Sequence, residues 1–227
     1  MFLDLFFGSP MIALAWVAAI LISLTVHEFS HALVGKLRGD RTAEREGRLT
    51  LNPISHMDPL GFLLILLFGF GWAKPVPYNP YNLKDPKWDA VKIGLAGPAS
   101  NLVLAVAAGL GFRFLVGGAA LSGLNLLAIF LFLSILLNLF LLLFNIIPVH
   151  PLDGSKLFFA IFDQPRHAKL RHLVATRGPQ VLMIAVLLSA FTNLNIFFFI
   201  SEPAFLACDA LTGTSCIGYF SAIFSLI

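Results

Sequence analysis

Charge is what this chain has least of. Asp, Glu, Lys and Arg make up 12% of its 227 residues, against about 25% in an ordinary soluble domain. Hydrophobic residues make up 58%, and the mean hydropathy is +0.88. A water-soluble fold has no interior large enough to hide that much apolar surface. Soluble enzymes and soluble binding modules are therefore excluded, and the bilayer becomes the solvent. Cysteine is nearly missing as well. Cys208 and Cys216 are the only two, and neither has the partner spacing of a cysteine metal site. A disulfide in an oxidising compartment and two unpaired small apolar residues are equally open readings. Repeats and low-complexity linkers are absent. The N-terminus has no basic segment and its apolar run has no clear cleavage site, so it reads as retained rather than as a signal peptide.

What the chain does have is long apolar runs. Four of them, at roughly Pro10–Gly35, Ile93–Val116, Leu121–Ile147 and Pro179–Ile200, reach or exceed the ~20 residues that a hydrocarbon core of about 30 Å requires. They should be helices, because a segment in lipid must satisfy its own backbone. A shorter run, Gly61–Trp72, is rich in Gly and Phe and reads as re-entrant or interfacial. The apolar tail Ile217–Ile227 is too short to cross alone. The expected fold class is an all-α polytopic membrane protein. It is a bundle of about four transmembrane helices with a short β-like or re-entrant cytoplasmic-side segment between the first two. Residues 1–227 read as one membrane-embedded domain, with a core at about 10–160 and a C-terminal helix and external tail at 178–227.

The basic residues are placed on one side. Lys36, Arg38, Arg41, Arg45 and Arg48 follow the first run, and Lys74, Lys84, Lys87 and Lys92 precede the second. Lys156, Arg166, Lys169, Arg171 and Arg177 lie between the third and fourth. A four-span topology gathers all of these on one face, leaving Arg113 as the exception. The positive-inside rule makes that face cytoplasmic in a multi-pass protein of the cell membrane and puts both termini outside. A nucleic-acid partner is not expected, because the same loops carry Asp40, Glu44, Glu46, Asp85 and Asp89.

The most polar stretch is Arg38–Pro59. Within it, Gly47–Pro53 alternates in a short β-like pattern closed by Asn-Pro. The proline-rich Gly71–Pro80 stretch cannot be helical. It should run extended on the cytoplasmic face, where its edge could pair with an unfolded substrate.

The chemistry sits inside the first run, as His27-Glu28-Phe29-Ser30-His31. At 3.6 residues per turn both imidazoles of this HExxH pattern share a helix face and can reach one metal ion. Glu28 lies beside that face, where a carboxylate can take a proton from water. A hydrogen-bonded histidine pair packing two helices is the bland alternative. Three ionisable side chains within an apolar helix are costly, however, and favour a functional cluster. A catalytic zinc takes three protein ligands and keeps one position open. The best source of the third is Asn145-Ile-Ile-Pro-Val-His-Pro-Leu-Asp153-Gly154, where prolines break the helix and Gly154 permits a turn. Asp153 could instead cap the helix that follows, or do both.

An early HExxH with a later N-x2-P-x4-D-G resembles the site-2 protease family of intramembrane metalloproteases. Gly97-Pro98-Ala99-Ser100-Asn101 and the stretch from Gly39-Asp40 to Pro53 are also similar to that family. The resemblance spans about residues 15 to 160 and lacks any PDZ-like or CBS-like regulatory domain. It implies one zinc per chain, held by His27, His31 and Asp153, with Glu28 activating water. It also implies that Asn145 positions substrate or steadies the oxyanion. Interhelical glue is the competing role for Asn145, and Asn101 reads chiefly as part of a close-packing element. His150 is the rival to Asp153, as a ligand or as a hydrogen-bond donor to one. His56 reads as a surface or interfacial residue, and His167 and His172 have no role.

The implied reaction is hydrolysis of peptide bonds in or near transmembrane segments, as in regulated intramembrane proteolysis. The partners are the bilayer and a single-span membrane protein, trimmed beforehand by another protease; the oligomeric state stays open. A membrane zinc carrier or an inactive protease-like scaffold are the alternatives. Glu28 separates the first, since a carrier needs no general base.

Overall fold

The computed structural model of the protein describes residues 7–68, 71–118, 120–192 and 194–225. Pro10 opens α1 (Pro10–Leu37) at a position where a missing N–H costs nothing. Its 28 residues extend roughly 42 Å at 1.5 Å per residue. The helix stops at Gly39, whose φ of +108° is open to glycine and strained for most other residues. A short helix, α2 (Pro59–Phe68), follows. Next comes α3 (Pro86–Phe112), capped by the Asp85 carboxylate, which accepts from the Lys87 and Trp88 amides. It runs on as a π-helical turn, Arg113–Gly117. Asn125 caps α4 (Leu126–Ile146) in the same way. The chain then forms α5 (Gly154–Ile161), α6 (Ala168–Phe191), α7 (Phe198–Thr212) and α8 (Cys216–Phe224).

Four segments, Pro10–Leu37, Pro86–Gly117, Leu126–Ile146 and Pro165–Ser189, are long and apolar enough to cross a membrane. The first three pack on one another. Ala13, Ala19, Ala105, Ala108 and Ala128 line their contacts, because small residues let backbones approach closely where lipid offers no hydrophobic drive. Phe112, Phe132 and Ile135 fill the remaining space. This three-helix core carries every residue of the proposed zinc and base site except Asp153, which lies just beyond α4.

Three expectations need correcting. The fourth long helix begins at Ala168, not Pro179, and ends at Phe191. Its first turns carry Lys169, Arg171 and Arg177, which break the apolar run in the sequence but not the helix, and Pro179 sits within it. The C-terminal stretch, expected as an external tail, forms α7 and α8, which bury Ala204, Cys208, Cys216 and Ile223 in the common core. Cys208 and Cys216 form a disulfide between them. Finally, the described residues contain no strand. Gly47–Pro53 passes from a turn at Gly47 through bends at residues 49–51 into a 3-10 turn that starts at Pro53, because Thr50 and Asn52 side chains bond nearby amides and displace a ladder. One isolated antiparallel bridge, Met57 to Ala73, links the two ends of the Gly61–Trp72 region. Residues 69 and 70 of that region lie outside those described.

Candidate metal centre

One turn of helix separates His27 from His31, and their Nε2 atoms lie 3.0 Å apart. Asp153 Oδ2 lies 3.2 Å from both. The three side chains are the one group of His, Cys, Asp and Glu among the described residues with metal-binding spacing. All are nearly sealed from solvent, at 4%, 6% and 9% exposure. Asp153 occupies the N-cap position of α5, yet its carboxylate makes no capping bond. It turns inward instead. Gly154 allows this, because a Cβ there would overlap the Ile146 carbonyl at the end of α4. Lys156 Nζ donates to Asp153 Oδ1 at 2.8 Å, which leaves Oδ2 to face the imidazoles.

The other ring nitrogens are held from α3. His31 Nδ1–H donates to the Ile93 carbonyl, and His27 Nδ1 meets Asn101 Oδ1, each at 2.6 Å. Pro98 has no N–H for the Gly94 carbonyl one turn back, and the neighbouring Ile93 carbonyl takes the His31 bond. Two glycines bring α3 this close. A Cβ on Gly97 would come within 2.5 Å of His27 Cε1, His27 Nε2 and His31 Nε2, and one on Gly94 within 2.6 Å of Lys156 Cδ.

The donor chemistry fits zinc. Two imidazoles protonated on Nδ1 each present an Nε2 lone pair, and a carboxylate adds an anionic oxygen. This is the ligand class of catalytic zinc sites with a fourth position open. Bonds of about 2.0–2.1 Å in a tetrahedron separate donors by about 3.3 Å, close to the 3.0–3.2 Å found here.

Glu28, 8% exposed, accepts from the Val76 amide at 3.2 Å. That amide belongs to the extended 71–79 segment, which is pinned on both sides. Lys74 N–H donates to His56 O at 2.8 Å. Arg48, itself buried, donates to Pro75 O at 3.0 Å and to Lys74 O at 2.5 Å. Beyond Val76, buried Asp40 accepts from Asn79 N at 2.6 Å, and also from Asn82 and Thr42. Burial alone would raise the Asp40 pKa, but the hydrogen bonds from Asn82, Thr42 and Asn79 outweigh it and lower it.

The remaining sequence candidates fall in different places. Asn145 is half-buried near the end of α4 and donates to Leu141 O at 2.9 Å. His150 is exposed, with its ring 6.5 Å from that of Phe159, outside the cluster. His56, expected at the surface, is 2% exposed and bonds Thr50 O at 2.8 Å, because the pinned segment covers it. The sequence reading missed Arg48 and Asp40 as braces and undervalued Asn101. The available signal was helical spacing: Asn101 lies four residues after Gly97, on the same face of α3.

Comparisons with known proteins show the family. The family model "Peptidase family M50" matches residues 15–189. The chain is 45% identical over 161 residues to "Putative zinc metalloprotease YwhC" of Bacillus subtilis, covering 68% of this chain and 72% of that protein. It is 31% identical over 191 residues to "Putative zinc metalloprotease Rip2" of Mycolicibacterium smegmatis, covering 81% and 69%. No solved structure matches. With a family model spanning the helices that carry both histidines and the aspartate, the chain belongs to peptidase family M50.

Proposed function

We infer that this chain is an intramembrane zinc metalloprotease that hydrolyses peptide bonds of membrane proteins. One observation carries the assignment of its residues: two imidazoles of a membrane-spanning helix and the Asp153 carboxylate from beyond α4 converge next to Glu28. His27, His31 and Asp153 hold one zinc per chain. When bound, zinc supplies the Lewis acidity that makes water a nucleophile near neutral pH and polarises the scissile carbonyl. Glu28 is the general base, taking the water proton on its carboxylate and passing it to the departing amine. The Val76 amide keeps that carboxylate in place between turnovers. Asn145 steadies the substrate or the developing oxyanion, using the amide group that otherwise bonds Leu141 O.

The substrate is a single-span protein already trimmed by another protease. A cleft of 360 Å³ offers room for part of a membrane segment. Ile20 and Leu24 of α1, Leu137, Phe140 and Phe144 of α4, and Val186 of α6 line it. It lies on the α1 face that continues into His27 and Glu28, and its apolar walls suit side chains of a helix entering from lipid. A helical substrate must still unwind at the cut, because its carbonyls are otherwise hydrogen-bonded. Residues 1–227 form one membrane-embedded domain, with Gly61–Trp72 as a re-entrant segment on the cytoplasmic side. The basic loops face the cytoplasm and both termini lie outside. The Cys208–Cys216 disulfide supports this orientation, since such bonds persist in oxidising compartments.

The test is purified protein in detergent with a single-span model substrate. Wild type should cleave and should stop on zinc chelation. Glu28→Gln should keep its zinc and lose cleavage by roughly 10²–10⁴-fold. Full activity in Glu28→Gln, or in zinc-stripped protein, would sink this assignment.

A further inference from the structure

The His27 imidazole is the first member of a longer buried chain of hydrogen bonds. Asn101 Oδ1 meets His27 Nδ1 at 2.6 Å. Asn101 Nδ2 donates to Asn138 Oδ1 at 2.7 Å. Asn138 Nδ2 donates to Ser23 Oγ and to the Ser134 carbonyl, both at 2.8 Å. Ser23 Oγ–H donates to the Ala19 carbonyl at 2.7 Å. Asn101, Asn138 and Ser23 are 0%, 1% and 1% exposed, so water cannot substitute for any member.

The direction of this chain is not free. The Ser134 and Ala19 carbonyls have no hydrogen to give. Ser23 spends its one proton on Ala19 O, so it can only accept from Asn138. Asn138 spends both amide protons on Ser23 and Ser134, so its oxygen must face Asn101. The Asn101 NH₂ group then faces Asn138, and its oxygen faces His27. An acceptor there requires a proton on Nδ1, which leaves the Nε2 lone pair for the metal. Turning either amide over would set oxygen against oxygen, or NH₂ against a protonated ring nitrogen, in an apolar interior where nothing compensates.

We propose that Asn138, anchored on Ser23 and the Ser134 carbonyl, is a positioning residue that fixes the metal-binding tautomer of His27 through Asn101. The proposal rests on the reading of His27 as a zinc ligand. Sequence alone offers only an asparagine in an apolar helix, whose ordinary role is interhelical glue. The difference between the two roles is that glue has no preferred proton direction.

The experiment uses the intact chain in detergent, labelled with ¹⁵N-histidine, stripped of zinc and held above the imidazole pKa. The His27 signal should be that of the Nδ1–H tautomer, with Asn101 Oδ1 at 2.6 Å from Nδ1 prevailing over Asp153 Oδ2 at 3.2 Å from Nε2; an Nε2–H tautomer in the wild type overturns the proposal outright. This measurement needs no variant and no metal, so it stands apart from the zinc reading, which fails separately if wild type binds no zinc. Asn138→Leu, of similar shape, should mix the tautomers and weaken zinc binding about 10–100-fold in a chelator competition. Adding Asn101→Asp, which can only accept, should restore affinity to within about threefold of wild type. If Asn138→Leu lowers thermal stability but leaves the tautomer and zinc affinity unmoved, Asn138 is structural and the proposal is wrong.

Discussion

Gly97→Ala is the sharpest perturbation the site offers, because one methyl group meets three atoms of the two histidines proposed as metal ligands. An alanine Cβ would stand 2.5 Å from His27 Cε1, His27 Nε2 and His31 Nε2. Carbon prefers heavy-atom neighbours at about 3.5–4.0 Å, so roughly 1 Å must be found. Neither ring has slack, since Ile93 O and Asn101 hold the far nitrogens at 2.6 Å. Either α3 lifts from α1, which breaks those bonds, or the rings rotate away from Asp153. Overpacking of this kind costs about 1–3 kcal/mol, while zinc sites tolerate only about 0.2 Å in bond length. If the strain falls on the loaded form, zinc affinity drops roughly 5- to 150-fold at 1.4 kcal/mol per tenfold.

The helix itself should not suffer, because alanine is favoured over glycine in a helix by about 1 kcal/mol. Gly111→Ala is the matched control. It lies on the same helix, and its Cβ would meet only Leu131, at 3.7 Å. The assay is zinc per chain after dialysis against graded chelator, with thermal unfolding run alongside. Gly111→Ala should match wild type. A Gly97→Ala protein that unfolds like wild type and holds zinc within about twofold would refute the reasoning. It would mean that the metal-binding arrangement is looser than the packing of α1 on α3 implies.

Asp153→Ala should lose both zinc and cleavage, whereas exposed His150→Ala should keep its zinc; the reverse result, read from metal content, would move the third ligand. Arg48→Ala removes two charge-assisted bonds to the 71–79 segment, worth about 1.5–3 kcal/mol each. Amide hydrogen exchange across that segment should then speed up by at least tenfold, with zinc unchanged. Unaltered exchange would mean that Asp40 and His56 alone hold the segment. Reporters fused after Arg48 or Arg171 should read cytoplasm, and one after Gly118 the outside; an external Arg171 fusion would break the proposed topology.

Much of the fold could be read from the sequence because lipid imposes a single rule on every spanning segment. The first span was located to within two residues, since Pro10 and the Lys36–Gly39 boundary both mark it. The fourth was misplaced because hydropathy treats Lys169, Arg171 and Arg177 as interruptions. In the structure they belong to the first turns of α6. The C-terminal helices were read as a tail for a related reason. Fifteen residues over Phe198–Thr212 and nine over Cys216–Phe224 are too short to span, and only the buried Ala204, Cys208 and Ile223 reveal that they close the core.

The site divides along the same line. His27, Glu28 and His31 could be found because their relation is local, one turn of one helix. Asp153 needed only a turn that Gly154 makes possible. Asn101, Asn138 and Ser23 could not be ranked, because what distinguishes them is a meeting of three helices. Two of them lie four residues from a residue the sequence already marks, Ser23 before His27 and Asn101 after Gly97, while Asn138 has no such neighbour. Helical spacing therefore names the faces but not which faces touch. Arg48 and Asp40 pose the opposite problem. They lie in the most polar stretch of the chain, where charge reads as solvated surface, yet both are buried because they hold a proline-rich segment that cannot pair its own backbone. In a protein with so few charges, each one drawn out of water must answer to a specific partner, and tracing those partners leads from Asp40 and Arg48 along the segment to Val76 and Glu28.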